Sequence, residues 1–151
     1  MELTKYPGTF SIYKKSGAAQ FTFMEPRFNE MGRIEKPGAI LLEAAEGQGE
    51  KSYSWKNKIS FAFGMSDLCQ VFDNPDKPPR LVHSTPNSPV MKNLEFVPGE
   101  GKYTGTYMMK IGEKSNESNT YKNVTVPLTS GEYTVLLRLF MSTAPTMIGW
   151  K

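Results

Sequence analysis

The chain has one cysteine, Cys69, and one histidine, His83, among its 151 residues. No intramolecular disulfide can form and no Cys/His cluster is available for a structural zinc site, which fits a reducing compartment. No stretch approaches the roughly 18 uncharged apolar residues of a membrane-spanning helix, so no membrane partner is expected. Met1 to Phe10 lacks the apolar h-region of a secretory signal and the Arg/Ser-rich character of a transit segment. The expected location is intracellular and reducing, or organellar if a targeting segment has been removed. Charge is close to balance: 18 Lys and Arg against 15 Asp and Glu leave +3, which permits a polyanionic partner without requiring one. With 38% hydrophobic residues, one domain over 1–151 with a real core is expected.

What the chain does have is a succession of short alternating segments separated by turn residues. Thr9 to Lys14 sets Phe10 and Ile12 on one face, Ser16-Gly17 supplies a turn, and Ala18 to Met24 sets Phe21 and Phe23 on one face, the pattern of a hairpin. An irregular piece runs to Gly32. Ala39 to Ala45 is an apolar run between Pro37-Gly38 and Gly47-Gln48-Gly49, and Lys51 to Phe63 reads as a fourth strand. Ser66 to Phe72 reads as a short helix with a serine cap, stopped by Asn74-Pro75. Four more strands follow at Arg80–Ser84, Met91–Pro98, Lys102–Ile111 and Thr120–Val126. Pro127 cannot continue a central ladder, and Thr129-Ser130-Gly131-Glu132 has the capping-box spacing that opens a helix. Tyr133, Leu136, Leu137 and Phe140 recur at i, i+3, i+4, i+7 on its buried face, and Pro145 is expected to end it before Gly149-Trp150. The order is four strands, a helix, four strands, a helix: an α+β fold of two antiparallel sheets covered by helices.

Signatures of catalysis fail on chemistry. Gly47-Gln48-Gly49-Glu50-Lys51-Ser52 evokes a phosphate-binding loop, but Glu50 breaks the required Gly-Lys-Ser order and would repel phosphate, so a hairpin turn is the better reading. Gly99-Glu100-Gly101 has no βαβ context and reads as a turn. His83 has no evident nucleophile or orienting acid, and Cys69, beside Leu68, Val71 and Phe72, reads as a buried structural thiol. Asn116-Glu117-Ser118 and Asn123-Val124-Thr125 match glycosylation acceptors, which have no meaning without secretion. Neither an enzyme nor a cofactor is expected.

Aromatics interleaved with lysines remain. Phe10, Tyr13, Phe21, Phe23, Tyr53, Trp55, Tyr103 and Tyr107 lie on expected strands, with Lys14, Lys15, Lys51, Lys56 and Lys58 beside them. Flat rings stack on unpaired bases at about 1–3 kcal/mol each and lysines release phosphate counterions, a combination suited to single strands more than to duplex grooves.

At these residues the chain resembles the Whirly family of single-stranded-DNA-binding proteins, from about Thr9 to Trp150. Phe10-Ser11-Ile12-Tyr13-Lys14 resembles the family's opening strand, and Lys15-Ser16-Gly17-Ala18-Ala19 its Lys-Gly-Lys-Ala-Ala-Leu hairpin, with an altered turn and Gln20 in place of leucine. Tyr53-Ser54-Trp55, Lys58 and Phe61-Ala62-Phe63 resemble its Tyr-Asp-Trp…Lys…Phe-Ala-Leu segment. Val126-Pro127, Thr129, Glu132-Tyr133, Val135, Pro145 and Gly149-Trp150 resemble its terminal signature. The resemblance implies two roughly perpendicular four-stranded antiparallel sheets, with helices at the centre of a homotetramer and single-stranded DNA along sheet faces and edges. It implies largely sequence-independent binding for genome maintenance, recombination and repair, or transcription. By position it gives Lys14, Lys15, Ala18 and Ala19 to the DNA-binding hairpin, and Tyr53, Trp55 and Lys58 to a second contact segment. Phe21, Phe23, Lys51 and Lys56 join them on physical grounds. Tyr133, Leu136, Leu137 and Phe140 are expected to build the oligomer interface at the centre of the assembly. An RNA-binding or annealing protein of the same fold, and a protein-binding β domain without nucleic acid, are the alternatives.

Overall fold

The computed structural model describes residues 8–150, so most of the Met1–Phe10 segment lies outside the described residues. The first sheet contains β1 (Thr9–Tyr13), β2 (Gly17–Met24), β5 (Ala39–Glu46) and β6 (Ile59–Phe63) in the order β1-β2-β5-β6. The second is a meander of β7 (Leu81–His83), β8 (Val90–Pro98), β9 (Tyr107–Ser115) and β10 (Thr120–Leu128). Every neighbouring pair is antiparallel. Helix α1 (Met65–Asp73) joins the sheets and α2 (Ser130–Met147) follows the second. A two-stranded ribbon, β3 (Arg27–Phe28) with β4 (Ile34–Lys36), occupies the stretch read as irregular. The expected order of four strands, helix, four strands, helix is present, with that ribbon inserted. No helix of the described residues is long and apolar enough to cross a membrane.

Alternation fills one continuous core. Ile12, Phe21, Leu42, Phe61 and Phe63 point inward from the first sheet, and Leu94, Phe96, Met109, Ile111, Val124 and Val126 from the second. Leu68 and Val71 of α1 and Tyr133, Leu136 and Phe140 of α2 complete it. Tyr133, Leu136 and Phe140, at 5%, 0% and 0% exposure, are therefore spent on this chain's own core and not on a partner subunit. Leu137 is half-buried against the same core. On α1, Leu68 and Val71 take the inward face, which leaves Cys69 exposed, contrary to the buried thiol expected.

Helix ends correct two readings, and one expected strand a third. The Thr129 cap forms as expected: Glu132 N–H donates to Thr129 Oγ1 at 3.1 Å and Thr129 N–H to Glu132 Oε1 at 2.8 Å. Pro145, however, lies inside the last turn; the stop is Gly149, at φ 83, with Trp150 N–H on the Pro145 carbonyl at 2.9 Å and Gly149 N–H on that of Thr146 at 3.1 Å. This Schellman closure needs a residue in the left-handed region, which glycine adopts without strain. In α1 the cap is Gly64 and not Ser66: its N–H donates to Asp67 Oδ2 at 2.9 Å. Asp67, 6% exposed, also accepts from His83 Nε2 at 2.9 Å, so the lone histidine ties β7 to α1 while stacking on Phe61 at 4.0 Å. Lastly, 51–63 is not one strand. Tyr53 makes an isolated bridge to Gly47, Trp55–Asn57 is a 3-10 turn, and pairing resumes only at Ile59.

Candidate nucleic-acid interface

The turn between β1 and β2 is set by contacts that leave little freedom. Lys14 N–H donates to the Gly17 carbonyl at 3.0 Å, Ser16 Oγ to the Thr125 carbonyl at 2.9 Å, and Gly47 N–H to the Ser16 carbonyl at 3.0 Å. A Cβ on Gly17 would sit 2.9 Å from both the Thr125 carbonyl oxygen and Val124 Cγ1, and one on Gly47 would run into the Lys15 carbonyl. The hairpin end therefore lies against β10 and the end of β5. This explains Ala18 and Ala19, fully buried and paired with Ala45 and Ala44. They support the hairpin and offer a ligand no surface.

The loop after β5 folds back beside that turn. Gln48 N–H donates to the Ser52 carbonyl at 2.8 Å and Ser54 N–H to that of Glu46 at 2.9 Å, so 47–52 is the tight turn expected, with no helix to make it a phosphate loop. Gly49 at φ 115 and Lys51 at φ 55 carry the reversal; Lys51 is a non-glycine residue in the left-handed region, held there with its side chain exposed. Tyr53 then points across the gap, and its hydroxyl donates to the Lys14 carbonyl at 2.8 Å.

The result is a groove of about 960 Å³ lined by Tyr13, Lys14, Lys15, Gly49, Glu50, Lys51, Tyr53 and Trp55. Its three rings follow one another, Tyr13 to Tyr53 at 5.8 Å and Tyr53 to Trp55 at 6.4 Å between centroids, all tilted. Tyr13 is 56% exposed, and Tyr53 and Trp55 are half-buried. Lys15 and Lys51 are exposed and have no acidic ion-pair partner among the described residues. Lys14 is held by Glu132, Nζ to Oε1 2.9 Å. Burial on its own would raise the Glu132 pKa; hydrogen bonds from Thr129 and the Lys14 ammonium outweigh it and leave the carboxyl below its ordinary value.

The sequence-based candidates thus divide. Lys14, Lys15, Lys51, Tyr53 and Trp55 come together from segments about 40 residues apart in the chain. Phe21 does not join them: at 4% exposure it is core, against Phe10 and Phe63. Phe23 faces a second, apolar groove beside α2. Lys56 is exposed on the 3-10 turn outside the groove, and Lys58 is paired with Glu43. Tyr13, named among the interleaved aromatics but not assigned to the contact residues, belongs to the groove. Strand alternation held the signal, since Ile12 inward places Tyr13 outward.

A family model described as "Whirly transcription factor" matches residues 12–139 of the chain. The chain belongs to the Whirly family. It is 24% identical over 161 residues to a maize (Zea mays) protein named single-stranded DNA-binding protein WHY1, chloroplastic, covering 95% of this chain and 57% of that protein. To the Arabidopsis thaliana protein named single-stranded DNA-binding protein WHY3, chloroplastic, it is 27% identical, covering 93% and 56%. The chain thus spans a little over half the length of these curated relatives. The crystal structure of WHY1 from Arabidopsis thaliana superposes with a TM-score of 0.86 at 22% identity, over 99% of this chain and 89% of that one, and shares the fold.

Proposed function

We propose that this Whirly chain binds single-stranded DNA in the Tyr13–Trp55 groove, with little dependence on sequence and without catalysing a reaction. One observation carries the reading: three rings from two separate segments stand in a row, flanked by the exposed cations Lys15 and Lys51. Rings of this kind accept any unstacked base and lysines follow any phosphate chain, so the groove selects for unpaired strands and not for a base order. Relatives named single-stranded DNA-binding proteins support the same ligand.

We propose that 1–151 acts as one domain whose two sheets cross at a steep angle. It self-associates, as a homotetramer, through the side of α2 that carries Val135 and Leu139, 46% and 38% exposed, beside the apolar groove formed with Phe10 and Phe23. Because relatives are named chloroplastic or mitochondrial, an organelle is the proposed location, and upkeep or transcription of its genome the proposed role.

Fluorescence polarisation with labelled oligo-dT of about 30 nucleotides tests the ligand, since site sizes of this kind run to about 16 nucleotides per binding fold. Binding that is tighter than to matched duplex and weakens with added salt is expected. Equal affinity for duplex, or no response to salt, would refute it; tighter binding of the matched RNA strand would reassign the ligand.

A further inference from the structure

Among the groove's lysines, Lys14 has an acidic partner within the chain, and that partner has a second task. Glu132 Oε1 receives both the Lys14 ammonium at 2.9 Å and the Thr129 N–H at 2.8 Å, while its own N–H binds Thr129 Oγ1. One carboxylate therefore closes the first turn of α2 and holds the hairpin lysine. Both side chains are about a quarter exposed, at 26% and 28%, so the pair lies within reach of a phosphate. The Lys14 backbone is separately fixed by Tyr53, and Ser16 is fixed by Thr125, so the hairpin does not depend on the ion pair for its place. A phosphate approaching Lys14 meets a cation neutralised by Glu132 from α2, and Glu50 puts a negative side chain on the groove wall itself.

We propose that Glu132 is an internal competitor for the phosphate chain, holding Lys14 so that a bound strand must either displace the carboxylate or do without that lysine. The inference rests on the single-strand reading of the groove. The working cations are then Lys15 and Lys51, and Glu132 limits affinity in a protein that must also release its strand.

Glu132→Gln is the informative variant, because glutamine serves at this capping position as glutamate does while the negative charge is removed. Oligo-dT should bind about two- to fivefold tighter at low salt, the range expected for a partly exposed ion pair. The slope of log affinity against log salt should steepen by about 0.7, one added phosphate contact on a single strand. In a Lys14→Gln background the same change should leave affinity and slope where Lys14→Gln alone puts them. A purely structural Glu132 would shift affinity alike in both backgrounds and leave the slope alone. Lys14→Gln, which keeps the cap, supplies an independent check: it should flatten the slope less than Lys15→Gln, and an equal loss overturns the inference. Binding by the parent chain with an unchanged slope in Glu132→Gln overturns the inference alone; a parent chain that binds no oligo-dT overturns the inference together with the reading beneath it.

Discussion

Trp55 and Phe21 look alike in the sequence, each an aromatic among alternating residues, and the structure places them in opposite surroundings. Trp55 sits half-buried on a 3-10 turn at the groove, whereas Phe21 is 4% exposed between Phe10 and Phe63. Trp55→Ala should weaken oligo-dT binding by about 1–3 kcal/mol while the thermal midpoint stays near that of the parent. Phe21→Ala should instead lower stability by about 3–5 kcal/mol, through lost burial and the cavity left behind. Polarisation and circular-dichroism melting on both variants separate the two roles, and a Trp55→Ala that melts as early as Phe21→Ala would return Trp55 to the core. The glycines make a related point. Gly47→Ala should cost about 2 kcal/mol or more and weaken binding too, because a Cβ there collides with the Lys15 carbonyl that the groove is built around. Residue type pointed to the lysines and rings; which of them are paired, buried or free depends on neighbours such as Glu132, Glu43 and Phe63, distant in the chain and invisible to local pattern.

Elements were legible where local chemistry decides them. The Thr129–Glu132 box, the Ser16-Gly17 turn and the alternation of β1, β2 and β10 each follow from residues within four positions of one another. Pro127 does not end the strand at Val126 as expected: β10 runs through it to Leu128, because an edge strand tolerates proline. The misses share a cause. Lys51 to Phe63 alternates like a strand, but Tyr53 is drawn to the Lys14 carbonyl and the chain turns at Trp55 before it can pair. The end of α2 is set by Gly149, whose Cβ position lies 2.8 Å from Ile34 of the ribbon, and Pro145 needs only to lose one ladder bond in the final turn. The cap also has a pH signature. Since folding lowers the Glu132 pKa from its ordinary 4.5, its contribution is full above that value and fades as pH falls through the lower folded value. Melting midpoints from pH 6 to pH 3 should therefore show parent and Glu132→Gln converging at the acid end, whereas a constant gap would mean that the carboxylate charge, through its Thr129 and Lys14 contacts, adds nothing to stability. Thr129→Ala, measured at neutral pH, should cost about 1 kcal/mol by leaving the Glu132 N–H without its acceptor.

At the scale of the whole molecule, the core and the outer surface of α2 make separate demands. Tyr133, Leu136 and Phe140 fill this chain's interior, and Tyr133 shows how firmly: its hydroxyl donates to the Pro75 carbonyl at 2.7 Å, its ring stacks on Tyr107 at 3.7 Å, and burial raises its pKa far above the ordinary phenol value. Periodicity alone could not tell this inward stripe from an intersubunit one, since both are apolar at the same spacing. Val135 and Leu139 lie exposed on α2 along a groove of about 400 Å³ whose other wall includes Phe10 and Phe23. A charge placed there leaves the core untouched but must be desolvated if two copies meet, so Leu139→Asp should break the assembly without unfolding the chain. Light scattering should give the parent a mass about four times the 17.0 kDa chain and the variant a mass near one chain, with an unchanged far-ultraviolet spectrum. A parent that runs as a monomer would refute self-association, and a variant that keeps the parent mass would move the interface off this face. Measured with oligo-dT present, the same pair reports whether binding needs the assembly. The groove is built within one chain, so the monomeric variant should still bind, more weakly for long strands because linked sites along one strand no longer act together.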